Sequence, residues 1–549
     1  MQNPVLALLA AGALASVAIA APTAGPILTE RGLVYPEGAE TPRNLTDVER
    51  EYLKNNPLTS LRGTTPPPTG PVRCVAEYEP MDGIVIGWEG STTWLNIHAQ
   101  LARHITTTGN ARLYVIIDNG TEQADATNRI TAAGGDMSKV VFMTRNLDSI
   151  WMRDYGPRYV YQGQCRAVTD HTYNRPRPND DIFPVFFAAQ KGHAFYEHQL
   201  IHGGGNYHLD ANGNSFATRL INNENPGLNE SQIIGIWENY QAVDTTLLTP
   251  YPTSVDSTQH LDMWMQVASD SLVFISDWPN NVGSTQDNIC DAAAVMMAGR
   301  GYTVVRLPAY STSGTHYTFS NMVMCNDVVI VPQYSVNPAF SQNSAVLSTI
   351  QAALPGKTVV GVSGQGIVTS AGVFHCIVMH VPAHLGGLNP TAYLKNLNGG
   401  EIVNPGDAVQ IDWISDDDNL VSSVDLLLST DGGATFPTTL ATGQPRLGSF
   451  VWNVPTDAAF SDEARIRVVA KDAQNRTGSD DSDANFTING AVSCPADLDG
   501  DLVIGFGDLN LLLGNYGQSG PGLAGDLDGD NDVDFADLNA LLGLYGTNC

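Results

Sequence analysis

The sequence predicts a mixed α/β protein, with an all-β segment and a short helical segment following along the chain. Short apolar runs rich in Val and Ile recur in the first two thirds, and helical stretches lie between them. Near residue 390 the pattern changes to short alternating runs without a helical period, and residues 494–549 carry an internal repeat. Hydrophobic residues make up 43% of the chain, which is enough for several buried cores.

The length and the charge of the chain limit the number of domains and the kinds of partner that we expect. Its 549 residues predict about two to four domains. The chain has 57 acidic and 27 basic residues, and its formal net charge is −30. Because phosphate binding needs a basic face, this balance excludes nucleic acid as a partner. An acidic surface favours solubility and divalent cations.

The start of the chain resembles a secretory signal. The apolar stretch 5–20 is short for a membrane span, and Ala18-Ile-Ala20 matches the small-residue cleavage pattern, although no Lys or Arg precedes it. We therefore expect residues 1–20 to be removed and the protein to be secreted or held at a bacterial cell surface. No later stretch has about 18 uninterrupted apolar residues, so we expect no membrane span in the mature chain.

Residues 21–72 show little periodicity and include the Pro-rich run 64–68. Pro-rich runs stay extended and seldom pack. We interpret residues 21–72 as a leader or an extended arm, and the sequence leaves open whether it is cleaved off.

Residues 73–385 form the largest block, in which predicted strands alternate with predicted helices. Stretches 93–107 and 287–300 have helical patterns. The predicted buried strands are 83–88, 113–117, 140–143, 272–275, 328–331 and 358–362. Alternation of this kind is typical of an α/β domain.

Residues 390–489 predict a β-sandwich of about 100 residues. Turn signals at 404–407, 416–419 and 431–433 separate short alternating or β-rich runs. By this pattern the segment resembles an immunoglobulin-like module.

Residues 494–549 contain no Lys or Arg and hold two copies of an Asp-rich loop that runs into an apolar helix. Acidic residues at loop positions 1, 3, 5 and 12, with a backbone carbonyl at position 7, are the oxygen set that Ca²⁺ needs. The expected ligands are Asp497, Asp499, Asp501, Val503 and Asp508 in the first loop, and Asp526, Asp528, Asp530, Asp532, Asp534 and Asp537 in the second. Paired units of this kind resemble a type I dockerin, a module that docks onto cohesin domains. The resemblance implies bound calcium and a cohesin-bearing partner.

The two loops depart from the usual calcium loop. The turn position that Gly usually fills holds Leu502 in the first loop and Asn531 in the second. Position 9 is Gly505 in the first loop, where water is expected to fill the place of a side chain. Cys494 and Cys549 bracket the module and could clamp its ends.

Four short motifs in residues 73–385 contain residues suited to catalysis. A His-x-Asp pair alone is more often a structural hydrogen bond, and a Cys in an apolar run is usually part of a core. The motifs are Trp151-Met-Arg-Asp154-Tyr-Gly-Pro157, Gly203-Gly-Gly-Asn206, His260-Leu-Asp262 and Phe374-His-Cys376.

Together and in this order, the motifs resemble those of the guanidino-modifying enzymes, specifically the agmatine deiminase and bacterial peptidylarginine deiminase family. The resemblance covers essentially residues 74–385. It implies a five-bladed, pseudo-fivefold α/β propeller (the pentein fold) and a hydrolase that needs no cofactor for catalysis. It also implies the site: the catalytic residues would be Cys376, His260, Asp154, Asp262 and Asn321, and Trp151, Arg175, Arg177, Gly204 and Asn206 would bind substrate.

The chemistry of a guanidinium explains these residue types. It is a delocalised cation and a poor electrophile, so Asp154 and Asp262 would hold its nitrogens with charge-assisted hydrogen bonds. The thiolate of Cys376 would attack the central carbon and form a covalent thiouronium. His260 would protonate the departing ammonia and then deprotonate the hydrolytic water.

Arg175 and Arg177 bear on the choice of substrate. In the peptidylarginine branch, two arginines in this segment bind the free carboxylate of a C-terminal arginine, and planar guanidinium groups suit that role. We therefore expect C-terminal peptidylarginine or free arginine to be converted to citrulline and ammonia. Agmatine has no carboxylate; its conversion to N-carbamoylputrescine, in putrescine biosynthesis, is the alternative. The two arginines could also simply form surface ion pairs with Asp180 and Asp181.

Two further functions remain open from the sequence. Cys, His and Asp also build the acyl-transfer sites of cysteine peptidases. The chain could also be a non-catalytic binding protein, in which an inactive deiminase fold carries the dockerin.

The chain has seven cysteines, and in an exported protein most are expected to pair. Because seven is odd, at least one is free, and Cys376 is the candidate for a reactive thiol. The pairing of Cys74, Cys165, Cys290 and Cys325 stays open. No Cys-x-x-Cys spacing occurs, so a cysteine zinc site is not expected.

Overall fold

The computed structural model describes residues 25–59, 63–490 and 494–548. The predicted signal segment 1–20 and Cys549 lie outside the described residues. Within these ranges, no helix is both long and apolar enough to cross a membrane.

An N-terminal arm, residues 25–59, precedes the first large sheet. Its strands β1 (Ile27–Thr29) and β2 (Gly32–Val34) pair antiparallel, and helix α1 (Asp47–Asn55) follows. α1 begins at a capping box, in which the hydroxyl of Thr46 accepts from the backbone N–H of Glu49 and the carboxylate of Glu49 accepts from that of Thr46. Residues 63–71 contain no helix or strand. The arm before them is folded and packed instead, because Thr41, Arg43 and Glu49 are buried against the next domain.

The large block alternates strands and helices, and all six predicted strands and both predicted helices are present. Its strands are β3 (Val72–Cys74), β4 (Met81–Gly87), β5 (Arg112–Ile117), β6 (Val140–Thr144), β7 (Arg158–Gln162), β8 (Cys165–Tyr173), β9 (Ala194–His202), β10 (His208–Leu209), β11 (Asn214–Thr218), β12 (Asp244–Leu248), β13 (Met265–Ser269), β14 (Leu272–Asp277), β15 (Thr303–Pro308), β16 (Tyr310–Thr312), β17 (Thr315–Tyr317), β18 (Val323–Cys325), β19 (Val328–Gln333), β20 (Thr358–Ser363) and β21 (Met379–Pro382). Its helices are α2 (Thr92–Thr106), α3 (Gly120–Ala133), α4 (Met152–Tyr155), α5 (Pro178–Asp181), α6 (Phe183–Lys191), α7 (Leu220–Glu224), α8 (Glu230–Gln241), α9 (Thr285–Gly299) and α10 (Ala339–Ala353).

Five sheets of this block share one pattern. Each contains an antiparallel pair, followed by a strand that lies parallel to its neighbour and is reached through a helical crossover. The strand orders are β21-β4-β5-β6, β3-β7-β8-β9, β10-β11-β12, β13-β14-β15 and β18-β19-β20. The last strand, β21, pairs with β4, so the end of the block returns to its beginning.

The β-rich segment forms two sheets around one hydrophobic core that includes Trp413 and Trp452. The strands are β22 (Thr391–Leu394), β23 (Ile402–Val403), β24 (Ala408–Asp416), β25 (Val421–Ser429), β26 (Thr438–Gln444), β27 (Gly448–Asn453), β28 (Ser461–Asp472), β29 (Thr477–Asp481) and β30 (Phe486–Ile488). A fully buried ion pair fastens this segment to the large block: Nε of Arg166 lies 2.9 Å from Oδ2 of Asp416.

The last segment contains helices α11 (Phe506–Asn515) and α12 (Phe535–Leu544). They pack on a small core of their own, which includes Leu512 and Leu541. Leu502 and Asn531 have φ of 66° and 72°, so each adopts the left-handed conformation that Gly usually provides.

The expectation that most cysteines pair is wrong for the large block. Cys74, Cys165, Cys290, Cys325 and Cys376 are all free and buried. Cys74 and Cys165 lie in separate hydrophobic clusters, apart from the core that holds the other three, and they behave as small apolar core residues. Cys494 is disulfide-bonded.

Candidate active site

The segments that connect one sheet to the next meet at one place. Asp154 follows β6, the Gly-Gly-Asn turn Gly204–Asn206 follows β9, and the turn Leu261–Met263 follows β12. Asn321 lies before β18, and Cys376 lies in the turn His375–Ile377, just before β21. The repeated sheet pattern therefore brings together motifs that are up to 222 residues apart in the chain.

The centre of this site is filled by the side chain of Arg43 from the N-terminal arm. Its guanidinium forms a bidentate contact with Asp154, from Nε to Oδ2 at 2.9 Å and from Nη2 to Oδ1 at 2.7 Å. A second bidentate contact joins Nη1 and Nη2 to the two oxygens of Asp262, each at 3.1 Å. Nη2 also lies 2.7 Å from Nδ1 of His260, and Nη1 lies 2.6 Å from Sγ of Cys376. All five side chains are fully buried.

The charges of these groups balance one another. Burial alone would raise the pKa of Asp154, but Arg43 and His260 hold it well below its usual value. The pKa of Asp262 is likewise lowered, because Arg43 and His375 outweigh the effect of burial. The carboxylates therefore stay ionised around one cation, and removing that cation would leave two like charges in a dry site.

The thiol of Cys376 is held by an amide and by the guanidinium. Nδ2 of Asn321 donates to Sγ at 3.2 Å, and the same nitrogen donates to the backbone carbonyl of Asp262 at 3.0 Å. Burial raises the pKa of the thiol well above its usual value, and the cationic Arg43 opposes that shift. Asn321 thus fixes the sulfur relative to the backbone of Asp262.

Glycines make room for the guanidinium. A Cβ on Gly205 would overlap Nη2 of Arg43 and lie 2.7 Å from Oδ2 of Asp262. A Cβ on Gly203 would lie 2.6 Å from Cε1 of His260. The Gly-Gly-Asn motif therefore acts chiefly through its missing side chains, and the backbone N–H of Gly205 donates to Oδ1 of Asp154 at 3.1 Å.

Three other predicted substrate-binding residues contact the N-terminal arm rather than the guanidinium. Nε1 of Trp151 donates to the backbone carbonyl of Thr41, and Nε of Arg175 donates to that of Arg43. Arg177 is fully buried and pairs with Glu49 of the arm at 2.8 Å, so it is not a surface residue paired with Asp180 or Asp181.

Two predicted substrate-binding residues of the Gly-Gly-Asn motif make hydrogen bonds that hold the local structure. Asn206 exchanges hydrogen bonds with the backbone of Thr218. The carbonyl of Gly204 accepts from Arg158 at 3.1 Å. Both residues hold the turn that carries Gly205 against the site.

Sequence reasoning missed Glu77 and gave no role to His375. Nδ1 of His375 lies 2.9 Å from Oδ2 of Asp262, and its Nε2 lies 3.0 Å from the carboxylate of Glu77. Glu77 also pairs with Arg153 at 2.8 Å. The His beside Cys376 was visible in the motif, whereas Glu77 stands alone in a loop and carries no local signal.

Several acidic residues of each Asp-rich loop lie close together. Carboxylate oxygens of Asp497, Asp499, Asp501 and Asp508 lie within 4.8 Å of one another, and those of Asp526, Asp528 and Asp537 form a smaller group in the second loop. That group does not include Asp530, Asp532 or Asp534, and calcium binding by either loop stays a prediction. Asp508 and Asp537 are buried at the start of α11 and α12. Asp534 accepts from the backbone N–H of Ala536 and so caps α12.

The fold and this site define an enzyme class, the hydrolases that act on a guanidino group. A model of the Porphyromonas-type peptidyl-arginine deiminase family matches residues 73–382. An agmatine deiminase from Pseudomonas putida is 23% identical over 281 residues, which cover 43% of this chain and 75% of that protein. The structure of a C. jejuni agmatine deiminase with substrate bound is similar in fold, with a TM-score of 0.51, 15% identity, and coverage of 57% of this chain and 97% of that one.

The family match spans more than half of the 549 residues. The chain belongs to the Porphyromonas-type peptidyl-arginine deiminase family, and it is a hydrolase of carbon–nitrogen bonds in amidines.

Proposed function

We propose that the protein hydrolyses the guanidinium of arginine, carried by a peptide or free, to the ureido group of citrulline, with release of ammonia. The observation that carries this proposal is the buried guanidinium of Arg43, which stands in for that of a substrate. Two bidentate carboxylates suit a planar fork of N–H donors, whereas a compact ammonium could not reach both.

The contacts of the stand-in guanidinium suggest a role for each residue. Cys376 attacks the central carbon, and the cationic substrate favours the thiolate by lowering the thiol pKa against the effect of burial. The nitrogen that corresponds to Nη2 contacts His260, so His260 protonates it and the C–N bond breaks to release ammonia. A covalent thiouronium remains on Cys376.

The second half of the reaction restores the enzyme. His260 takes a proton from water, and the resulting hydroxide attacks the thiouronium carbon. The C–S bond then breaks, and the thiolate of Cys376 leaves. Asn321 keeps Sγ in place through both halves, and Asp154 and Asp262 hold the remaining nitrogens.

The surroundings of Arg175 favour a substrate that has a carboxylate or a peptide carbonyl over agmatine, which has neither. Nε of Arg175 lies 3.0 Å from the carbonyl oxygen of Arg43, which is the position of one carboxylate oxygen in a C-terminal arginine. Agmatine carries no group there. It remains the second candidate, because the P. putida relative is named as an agmatine deiminase.

Product analysis of four substrates tests the proposal. The full chain and its Arg43→Ala variant, in which the site is vacated, are each incubated with the four substrates. These are agmatine, free arginine, a peptide that ends in Arg and the same peptide with an amidated end. We expect citrulline and ammonia from the peptide, with its backbone intact, and no product from Cys376→Ser. Peptide cleavage would instead indicate a cysteine peptidase, and turnover of agmatine alone would indicate the second candidate.

Arg175→Ala should separate the substrates further. Losing a charge-assisted hydrogen bond costs about 1.5–3 kcal/mol, so KM for the Arg-ending peptide should rise by roughly 10-fold to 100-fold. KM for agmatine should change little. Equal changes for both substrates would contradict a carboxylate-binding role.

We further infer the setting in which this enzyme works. The pairing of β21 with β4 supports closure of the five sheets into a pseudo-fivefold propeller, and the two sheets of residues 391–488 support an immunoglobulin-like sandwich. The two acidic loops support calcium binding by a type I dockerin. On this proposal the protein is secreted and attaches to a cohesin-bearing partner.

A further inference from the structure

The N-terminal arm lies in the active site in the manner of a bound peptide. Three consecutive residues of the arm, 41–43, contact the large block at the guanidinium site. Their backbone makes four hydrogen bonds to the large block, and Arg43 and Thr41 are no more than 2% exposed. The arm therefore does not merely cover the site but fills it.

The four backbone contacts are spread over all three residues. The carbonyl of Thr41 accepts from Nε1 of Trp151 at 2.8 Å, and that of Pro42 accepts from Nη2 of Arg177 at 2.7 Å. The carbonyl of Arg43 accepts from Nε of Arg175 at 3.0 Å, and its N–H donates to the carbonyl of Ser370 at 3.0 Å. Donors that point at successive carbonyls, followed by a site for the side chain, are the arrangement of a peptide-binding cleft.

A second anchor holds the arm beyond the site. The carboxylate of Glu49, fully buried in α1, accepts from Nε of Arg177 at 2.8 Å. The hydroxyl of Tyr35 lies within hydrogen-bond distance of both Glu49 and the carbonyl of Pro176. Burial would raise the pKa of Glu49, but Arg177 holds it below its usual value. The arm thus supplies a carboxylate, that of Glu49, as the partner of Arg177 in the cleft.

The packing between arm and block is incomplete. A cavity of about 520 Å³ lies beside Asn44 and Leu45, on the side where the chain leaves the site. A second cavity, of about 350 Å³, lies between the end of α1 and the segment 172–178. Atoms that line such gaps lack the contacts that a close-packed core provides.

We propose that residues 41–43 are a tethered ligand of the guanidinium site, so that an outside substrate reaches Cys376 only when the arm leaves. A tethered segment acts at an effective concentration on the order of millimolar, so a free substrate competes poorly with it. Displacement of the arm, or its removal by cleavage, switches the site on. This inference rests on the proposed function in treating the site as one for guanidines, but occupancy of the site can be measured without turnover.

The main test is the alkylation of Cys376 in the full-length chain by iodoacetamide, mapped by mass spectrometry. Arg43→Ala is compared with the wild type and with Arg31→Ala, which removes an exposed arginine of the same arm. Arg43→Ala loses several charge-assisted hydrogen bonds and vacates the site, so alkylation of Cys376 should become at least about 10-fold faster. The increase is expected even though the variant lacks the cation that lowers the pKa of the thiol. Arg31→Ala should match the wild type, and Cys74, Cys165, Cys290 and Cys325 serve as internal standards.

A complementary test restores the ligand from outside. A synthetic peptide with the sequence of residues 36–56 is added to the Arg43→Ala chain, and it should protect Cys376 from alkylation. The same peptide with Ala in place of Arg43, and with Arg50 kept, should not protect. If Arg43→Ala fails to fold, Glu49→Gln, which loosens the second anchor, should still accelerate alkylation.

The outcomes separate this inference from the proposed function. Faster alkylation and peptide protection without citrulline formation from any substrate would uphold the tethered ligand and overturn the deiminase. Citrulline formation at equal rates by the wild type and Arg43→Ala, with equal alkylation, would overturn the tethered ligand alone. Citrulline at position 43 of the purified wild type would also overturn it, because the arm would then be consumed as a substrate.

Discussion

Gly205 lies against the guanidinium more closely than any larger residue could. A Cβ there would lie 1.9 Å from Nη2 of Arg43, closer than any contact allows, and 2.9 Å from Oδ1 of Asp154. Gly372 plays a similar part on the opposite side, where a Cβ would lie 3.1 Å from both Sγ of Cys376 and Cδ of Arg43. The walls of the site are thus set by backbone as well as by charged side chains.

Gly205→Ala should abolish citrulline formation and release the arm. The new methyl group takes the place of one guanidinium nitrogen, so neither Arg43 nor a substrate can form both bidentate contacts. Citrulline assays and alkylation of Cys376 measure the two effects. Gly235→Ala is the matched control, since its Cβ meets nothing within 4 Å and it lies in α8, where Ala stabilises a helix by up to about 1 kcal/mol over Gly. Normal turnover by Gly205→Ala would disprove this placement of the guanidinium.

Some residues of the site could be predicted from the sequence, and others could not. His260, Asp262 and Cys376 could be nominated because short motifs contain them, and the structure places all three within hydrogen-bond distance of one guanidinium. Arg43 could not be nominated, since a buried arginine is recognisable only by the carboxylates that surround it in the folded chain. The same holds for Glu77, whose partners are 76 and 298 residues away.

At the scale of elements, predictability follows the continuity of apolar residues rather than burial. β5 and β19 are parallel strands with continuous apolar runs, which stand out in the sequence. β8 is buried along its whole length, yet it contains Asp170, His171 and other polar residues that conceal it in the sequence. The tertiary hydrogen bonds that make such a strand possible are not local, so its pattern resembles that of a loop.

Glu77 ties three elements together behind the site. It accepts from Arg153 of α4 and from His375 of the turn that contains Cys376, and it lies in the loop between β3 and β4. Burial would raise the pKa of Glu77, but Arg153 and the two histidines His375 and His380 hold it well below its usual value. The loop therefore carries a permanent negative charge on which the neighbouring cations depend.

Glu77→Gln should destabilise the large block by about 3–5 kcal/mol, because it leaves Arg153 buried without its partner. Scanning calorimetry should show a lower Tm, and citrulline formation should fall because His375 no longer fixes Asp262. Glu51→Gln, on the exposed face of α1, should change stability by less than about 0.5 kcal/mol. An unchanged Tm for Glu77→Gln would show that the network contributes no stability.

At the scale of the whole molecule, the chain divides into parts with separate cores. The core around Leu512 and Leu541 shares no residue with the core of the large block. The β-rich segment, in contrast, is fastened to that block by the buried pair of Arg166 and Asp416. We therefore expect perturbations to pass between the large block and the β-rich segment but to stop before residue 494.

Calcium removal should unfold residues 494–548 and leave the deiminase rate unchanged. Without a cation, the clustered carboxylates of each loop repel one another, so binding energy becomes folding energy. In the full chain with Arg43→Ala, a chelator should expose this segment to proteolysis while citrulline formation continues. Calorimetry should show tighter binding in the second loop, where Asp534 replaces Gly505. A lack of calcium uptake, or a collapse of turnover on chelation, would contradict this.

The turn that holds Cys376 precedes β21, and β21 completes its sheet only by pairing with β4. A chain grows from its N-terminus at about 5–20 residues per second, so the thiol and its strand are the last parts of the large block to leave the ribosome. The arm, in contrast, precedes the large block in the chain and is synthesised before it. A nascent or truncated chain that ends before residue 382 thus has no assembled active site. When the active site forms, Arg43, which fills it, has already been synthesised in the same chain.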